Sequence, residues 1–110
     1  MFICTNYMLS EYIIRNRKME VTIKRRGAEL CSVRNAQGVE FIWQAGEVWP
    51  RHAPNLFPIV GSLLDHEYVF EGERYNLTHH GFARDSDFDM LHQSEHSISF
   101  VLQHSQETLK

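Results

Sequence analysis

Lys18-Met19-Glu20-Val21-Thr22-Ile23-Lys24 is the stretch that decides the fold class. In an extended chain Met19, Val21 and Ile23 fall on one face and Glu20, Thr22 and Lys24 on the other, the period of two of a half-buried antiparallel strand. The same pattern recurs outward along the chain. Leu30 to Val33 and Val39 to Trp43 flank Asn35-Ala36-Gln37-Gly38, whose Asn and Gly supply turn chemistry. They read as a hairpin with Val39, Phe41 and Trp43 on one face. Tyr68 to Leu77 reads as a second hairpin with Glu71-Gly72-Glu73 at its tip. Phe88 to His92 and Ile98 to Leu102 flank Ser94-Glu95-His96 as a third, with Ile98, Phe100 and Leu102 alternating against Ser97, Ser99 and Val101. No long segment carries a helical apolar stripe. The expected class is therefore all-β, an antiparallel β-sandwich of short strands.

Composition sets the outer bounds. A chain of 110 residues suits one small domain, and its 43% hydrophobic and 23% charged residues are ordinary for a globular protein, not for a disordered tail or a coiled coil. A net charge of −3 gives no reason to expect nucleic acid or an anionic membrane as a partner. Cys4 and Cys31 form no CxxC or metal-spaced pair and are expected as reduced thiols of a cytoplasmic protein. Met1 to Leu9 lacks the basic start and apolar run of a signal peptide, and no stretch approaches the roughly 18 apolar residues of a membrane helix. Residues 1–10 are poorly patterned, with Met8 as an alternative start, and residues 11–110 read as a single unit.

Two stretches break the strand pattern and are the natural places for chemistry. Gln44 to Pro58 holds Pro50, Pro54 and Pro58 beside Trp49, Arg51 and His52; proline removes ladder donors, so this is an ordered loop. Thr78-His79-His80-Gly81-Phe82-Ala83-Arg84-Asp85 is the second. His is the residue type in excess, at seven copies, and the usual choice for acid–base work near neutral pH. His80 is the first candidate, because Gly81 permits close backbone approach or a positive φ directly after it. In an extended segment His79 and His80 would point to opposite faces, so at most one would serve a given site. Arg51 offers a guanidinium to hydroxyls or an anion, Arg84 a ligand clamp, and Trp49 an apolar face for a sugar ring, whereas Trp43 is expected in the core. Each also fits a structural duty: His80 satisfied by a backbone carbonyl, Arg51 stacked on a ring or paired with an acid, Arg84 paired with Asp85. His79, His80, His92 and His96 lack Cys or carboxylate partners at metal-site spacing, and His92 and His96 flank a turn, so no metal is expected. Glycine-rich phosphate loops, a GxSxG elbow and a Cys–His pair are missing.

The loops also carry a resemblance. Arg26-Gly27-Ala28-Glu29-Leu30-Cys31-Ser32-Val33, then Glu40-Phe41-Ile42-Trp43, looks like the opening of aldose 1-epimerase (galactose mutarotase-like) proteins. Trp49-Pro50-Arg51-His52-Ala53-Pro54-Asn55-Leu56-Phe57-Pro58-Ile59-Val60-Gly61 resembles the signature of their LacX-type branch, and the match continues through Tyr68, Gly72, Tyr75 and Leu77 to His80-Gly81-Phe82-Ala83-Arg84-Asp85-Ser86. It runs from about Glu11 to Lys110. The resemblance implies a large galactose mutarotase-like sandwich with a sugar cleft on one sheet, and cofactor-free interconversion of the α and β anomers of a hexose. A base takes the anomeric hydroxyl proton while an acid protonates the ring oxygen. It implies that His80 is the active-site histidine, with Arg51 and Arg84 near the cleft. Two positions depart from the family pattern: Ser62 follows Gly61 where many relatives carry a substrate-contacting Arg, and His52 replaces the usual Arg before Ala-Pro.

Family members are several times longer. The resemblance puts the second catalytic histidine and the glutamate base beyond Lys110, so no acid here is assigned a catalytic role. The chain is expected to be the N-terminal portion of such a protein, through truncation, a frameshift or an incomplete gene, and inactive by itself. An unpaired edge near Ile98 to Leu102 is expected to favour self-association. A non-catalytic sugar-binding module, a hexose-6-phosphate epimerase and a plain structural β domain are the alternatives.

Overall fold

The computed structural model of the protein describes residues 9–105. Cys4, Met8 and most of the poorly patterned 1–10 segment lie outside the described residues. Three antiparallel units make up the fold: a sheet in the order β1 (Glu11–Arg15), β2 (Met19–Lys24), β3 (Glu29–Asn35), a hairpin of β4 (Glu67–Phe70) and β5 (Glu73–Asn76), and a hairpin of β6 (Asp89–Gln93) and β7 (Ile98–Val101). The deciding stretch is β2, at the centre of its sheet. Its alternation is only half expressed in burial, since Ile23 is buried while Met19 at the strand's start is exposed. β1 is an element that the sequence pattern did not signal. Its run Tyr12-Ile13-Ile14 has no clean alternation, and its pairing with β2 creates it, setting Tyr12 opposite Ile23.

Among the described residues, Tyr12, Ile23, Cys31 and Ala83 are the buried apolar ones. The β6–β7 hairpin docks on β1, where the Phe100 ring meets Tyr12 edge-on with centroids 5.5 Å apart. Backbone contacts fix that dock: Arg15 N–H donates to the Glu95 carbonyl at 2.9 Å and Gln93 Nε2 to the Ile13 carbonyl at 3.0 Å. Between β2 and β3 the register shifts at Thr22/Ile23, and the Cys31 thiol reaches back to the Thr22 carbonyl at 3.5 Å. Burial, the largest influence, and nearby carboxylates push this thiol above its ordinary pKa, so Cys31 is a small buried packing residue and not a nucleophile.

Two of the three expected hairpins form. Glu71 and Gly72, at φ of 51° and 83°, make the two-residue turn between β4 and β5. The Asn35 turn also forms, its side-chain oxygen accepting the N–H groups of Gln37 and Val39. Its second arm does not continue as a strand. Glu40 turns its carboxylate inward, accepting from Val33 N–H at 2.8 Å, Ile42 N–H at 3.1 Å and the Ser32 hydroxyl at 2.6 Å. The Ser32 hydroxyl and the two N–H groups lower the Glu40 pKa to about 2, and the carboxylate takes over donors that a ladder would have used. Phe41 and Trp43 are accordingly exposed, and Trp43 is not a core residue: its Nε1–H donates to the Trp49 carbonyl at 2.7 Å.

The proline-containing loop is ordered without strands, as expected, and a buried carboxylate holds it. Glu29, only 3% exposed, accepts the N–H groups of His52 at 2.7 Å and Ala53 at 2.9 Å, with Lys24 Nζ at 3.5 Å. Asn55 adds a second anchor, its side-chain amide donating to the carbonyls of Gly27 and Ala28. No helix among the described residues is long and apolar enough to cross a membrane. Glu29→Ala removes the acceptor for two backbone donors and is expected to lower stability by about 2–4 kcal/mol in urea unfolding; a loss under about 0.5 kcal/mol would show that the loop holds itself.

Candidate functional site

Two loops close on each other through backbone contacts centred on Phe57 and Gly81. Phe57 and Gly81 form a parallel bridge, and the Phe57 carbonyl accepts the N–H groups of Phe82 at 3.0 Å and Ala83 at 3.1 Å. A Cβ on Gly81 would lie 2.2 Å from that carbonyl oxygen, and Gly81 sits at a φ of 78°, so no other residue fits there without displacing the loop. Gly27 has a similar duty, since a Cβ there would meet the Arg84 carbonyl at 2.7 Å. The expectation that Gly81 brings backbone close to backbone is met, at the Phe57 peptide.

The turn Thr78-His79-His80-Gly81, closed by Gly81 N–H to the Thr78 carbonyl at 2.8 Å, puts His80 at a φ of 62°. The segment is therefore not extended, and the two imidazoles do not diverge to opposite faces. Their ring centroids lie 3.8 Å apart, and both rings line one cavity of about 450 Å³ together with Trp49, Ala53, Pro54, Leu56 and Arg84.

His80 is held from both ends of the residue. Its backbone N–H donates to the Gly61 carbonyl at 2.7 Å, and its Nδ1 accepts the Gly61 N–H at 2.8 Å. A peptide N–H can only donate, so Nδ1 carries no proton, and the neutral ring bears its proton on Nε2. Partial burial, then His79 and the Arg84 guanidinium, keep His80 below the ordinary histidine pKa. At neutral pH it is an uncharged, oriented Nε2–H donor.

His79 is placed differently. Its Nδ1 is hydrogen-bonded to the Ser62 hydroxyl, and its carbonyl accepts from Arg84 Nη2 at 3.0 Å. Arg84 also lines the cavity, with a largely buried side chain. Its Nε has no hydrogen-bond partner among the described residues, the nearest Asp85 oxygen being at 3.9 Å. The Arg84–Asp85 pair is thus a loose contact, and Arg84's firm bond is to the His79 backbone. Arg51 lies outside the cavity lining, with Nη2 3.0 Å from Asp85 Oδ1. Trp49 is on the lining, half exposed, its carbonyl fixed by Trp43.

The structure therefore gathers His80, Arg84 and Trp49 at one cavity and leaves Arg51 beside it. In the sequence Ser62 stands out only as a departure from the family pattern, and His79 only as one of two rings expected to diverge; the signal for His79 was the His-His-Gly turn, since a positive φ at His80 swings adjacent side chains to one side. His92 lies in β6, and His96 in the following turn bonds the Arg15 carbonyl; neither lines this cavity. Among the described residues no group of three or more His, Cys, Asp or Glu side chains is placed to hold a metal ion.

An all-β chain with a histidine-lined cavity between two backbone-locked loops matches known proteins closely. The aldose 1-epimerase family model covers residues 10–109, and the chain belongs to that family. Protein LacX of Lactococcus lactis subsp. lactis, in its plasmid and chromosomal forms, is 31% identical, the match spanning 87% of this chain and 34% of LacX. A galactose mutarotase related enzyme from Lactobacillus acidophilus superimposes with a TM-score of 0.88 at 46% identity, over 91% of this chain and 34% of that one. A galactose mutarotase-like protein from Lactobacillus casei ATCC 334 gives 0.86 at 39% identity, over 91% and 35%. The fold is the galactose mutarotase-like β fold, and the chain spans about a third of the length of the relatives it matches.

Replacing Gly81 by Ala forces a side chain against the Phe57 carbonyl at a positive φ. Gly81→Ala is expected to cost more than about 2 kcal/mol in chemical unfolding and to move the backbone amide resonances of Gly61 and Phe82. Unchanged resonances at both would contradict the loop lock.

Proposed function

We propose that this chain supplies a hexose-binding wall of an aldose 1-epimerase, a cytoplasmic enzyme that interconverts α and β anomers by general acid–base ring opening. The observation that carries the reading is the His80 ring, held by Gly61 as an Nε2–H donor, on the lining of a cavity that Trp49 and Arg84 also line. A neutral donor suits a sugar ring oxygen: it can hydrogen-bond that oxygen in the cyclic sugar and supply a proton as the ring opens. Trp49 offers an apolar face to the C–H side of a pyranose, and Arg84 a charged donor to its hydroxyls. Arg51 reaches a ligand only by leaving Asp85, which gives it a supporting place at the rim.

Ring opening also needs a base for the anomeric hydroxyl, and the described residues that line the cavity include no carboxylate. Alone, the 110 residues are therefore proposed to bind a hexose without catalysing anomer exchange. Titration of the chain with D-galactose or D-glucose is expected to shift the His80 and Trp49 side-chain resonances, with the shifts lost in His80→Ala. Polarimetry of fresh α-anomer is expected to show no acceleration by the chain. Binding that survives His80→Ala would refute the assignment, and acceleration would refute the binding-only role of these residues.

Self-association is part of the same proposal. Phe57, Phe82, Phe88 and Leu102 line an apolar cavity of about 510 Å³, and β7 pairs only with β6 among the described strands. Sedimentation is expected to show a concentration-dependent rise in mass; a monomer at all concentrations would contradict this.

A further inference from the structure

Two imidazoles share the cavity, but their partners make them chemically unequal. His80 is locked as a donor, because the Gly61 N–H fixes its tautomer. His79 answers to the Ser62 hydroxyl, which can donate to Nδ1 or accept from it by rotating. When Ser62 donates, Nε2 of neutral His79 carries the proton; when Ser62 accepts, Nε2 is bare and accepts. That Nε2 has no hydrogen bond among the described residues, and the ring lines the cavity. The hydroxyl rotor thus lets His79 match either sense of hydrogen bond, so what it discriminates is where a hydroxyl stands, its ring centre being fixed 3.8 Å from that of His80.

Neighbouring oxygens on a pyranose set the same problem. A ring or glycosidic oxygen only accepts, whereas each hydroxyl donates and accepts, and its direction depends on its configuration. From His79 and His80 sharing one cavity, with Ser62 hydrogen-bonded to His79 Nδ1 from outside its lining, we infer that His79, steered by Ser62, is a second sugar-reading residue that selects the configuration of the hydroxyl beside the oxygen held by His80. Its ligand class is an aldose with free adjacent hydroxyls. This inference rests on the hexose-binding reading of the cavity. Arg84 supports it as a positioning residue, since Nη2 bonds the His79 carbonyl and holds the turn.

The test is a titration of the 110-residue chain with D-glucose, D-galactose and D-mannose, followed by amide resonances. Wild type is expected to prefer one epimer. His79→Phe keeps a flat ring beside His80 without nitrogens, and is expected to weaken the preferred epimer about tenfold and level the three affinities. Ser62→Ala, at an exposed position, is expected to weaken it about threefold and narrow the preference; it carries the test if His79→Phe does not fold. Wild-type preference retained in both variants, with affinities within about twofold, would overturn the inference while leaving the hexose-binding reading standing. Wild-type binding with no epimer preference would do the same. Failure of wild type to bind any of the three would overturn both.

Discussion

The Glu29 carboxylate is where sheet and site meet. It is almost fully buried at the start of β3, and its hydrogen bonds go to the backbone of another segment, at His52 and Ala53. A buried charge is tolerated only when its oxygens are satisfied, and here those donors and Lys24 satisfy it. The consequence is directional. Once residues 52 and 53 are fixed on the sheet, Asn55 ties the loop to the Gly27 turn, Phe57 is brought against Gly81, and Gly61 reaches His80. The site is at the end of this chain of backbone contacts, not on the strands themselves.

Those contacts also fix the protonation state. Gly61 holds Nδ1 of His80 as an acceptor, while partial burial and the neighbouring His79 and Arg84 disfavour the charged ring. Because the native pKa is depressed, the unfolded chain takes up a proton that the native one refuses once pH falls below the ordinary histidine value. The native state therefore loses stability on the acid side of neutrality and keeps it above. A neutral, oriented donor is thus a property of the fold, available before any sugar arrives.

Much of this was legible in the residues. Alternation at β2 and around β6 and β7, the Glu71-Gly72 tip and the prolines of the loop gave the all-β class and two hairpins, because period-two burial and turn stereochemistry are local properties. His80, Arg84 and Trp49 stood out by residue type and by the motif around Gly81. The misses share one cause: they depend on distant partners. β1 is a strand because β2 pairs with it. Val39 to Trp43 fails as a strand because Glu40 spends its carboxylate on Val33 and Ile42, which also leaves Trp43 outside the core. His79 joins His80 because Gly61, 19 residues earlier, holds the turn at a positive φ. Glu29, just before the expected Leu30 to Val33 strand, carried no signal of its own, because its partners at residues 52 and 53 are brought to it by the loop.

The most direct test of the central claim is a long-range 1H–15N correlation spectrum of the histidine side chains at pH 7, with His80 assigned by comparison with His80→Gln. The expected result is a neutral His80 ring protonated at Nε2 and bare at Nδ1, persisting as the pH is lowered to the ordinary histidine pKa. A ring protonated at Nδ1, or an imidazolium at pH 7, would contradict the Gly61 lock and with it the donor role of His80.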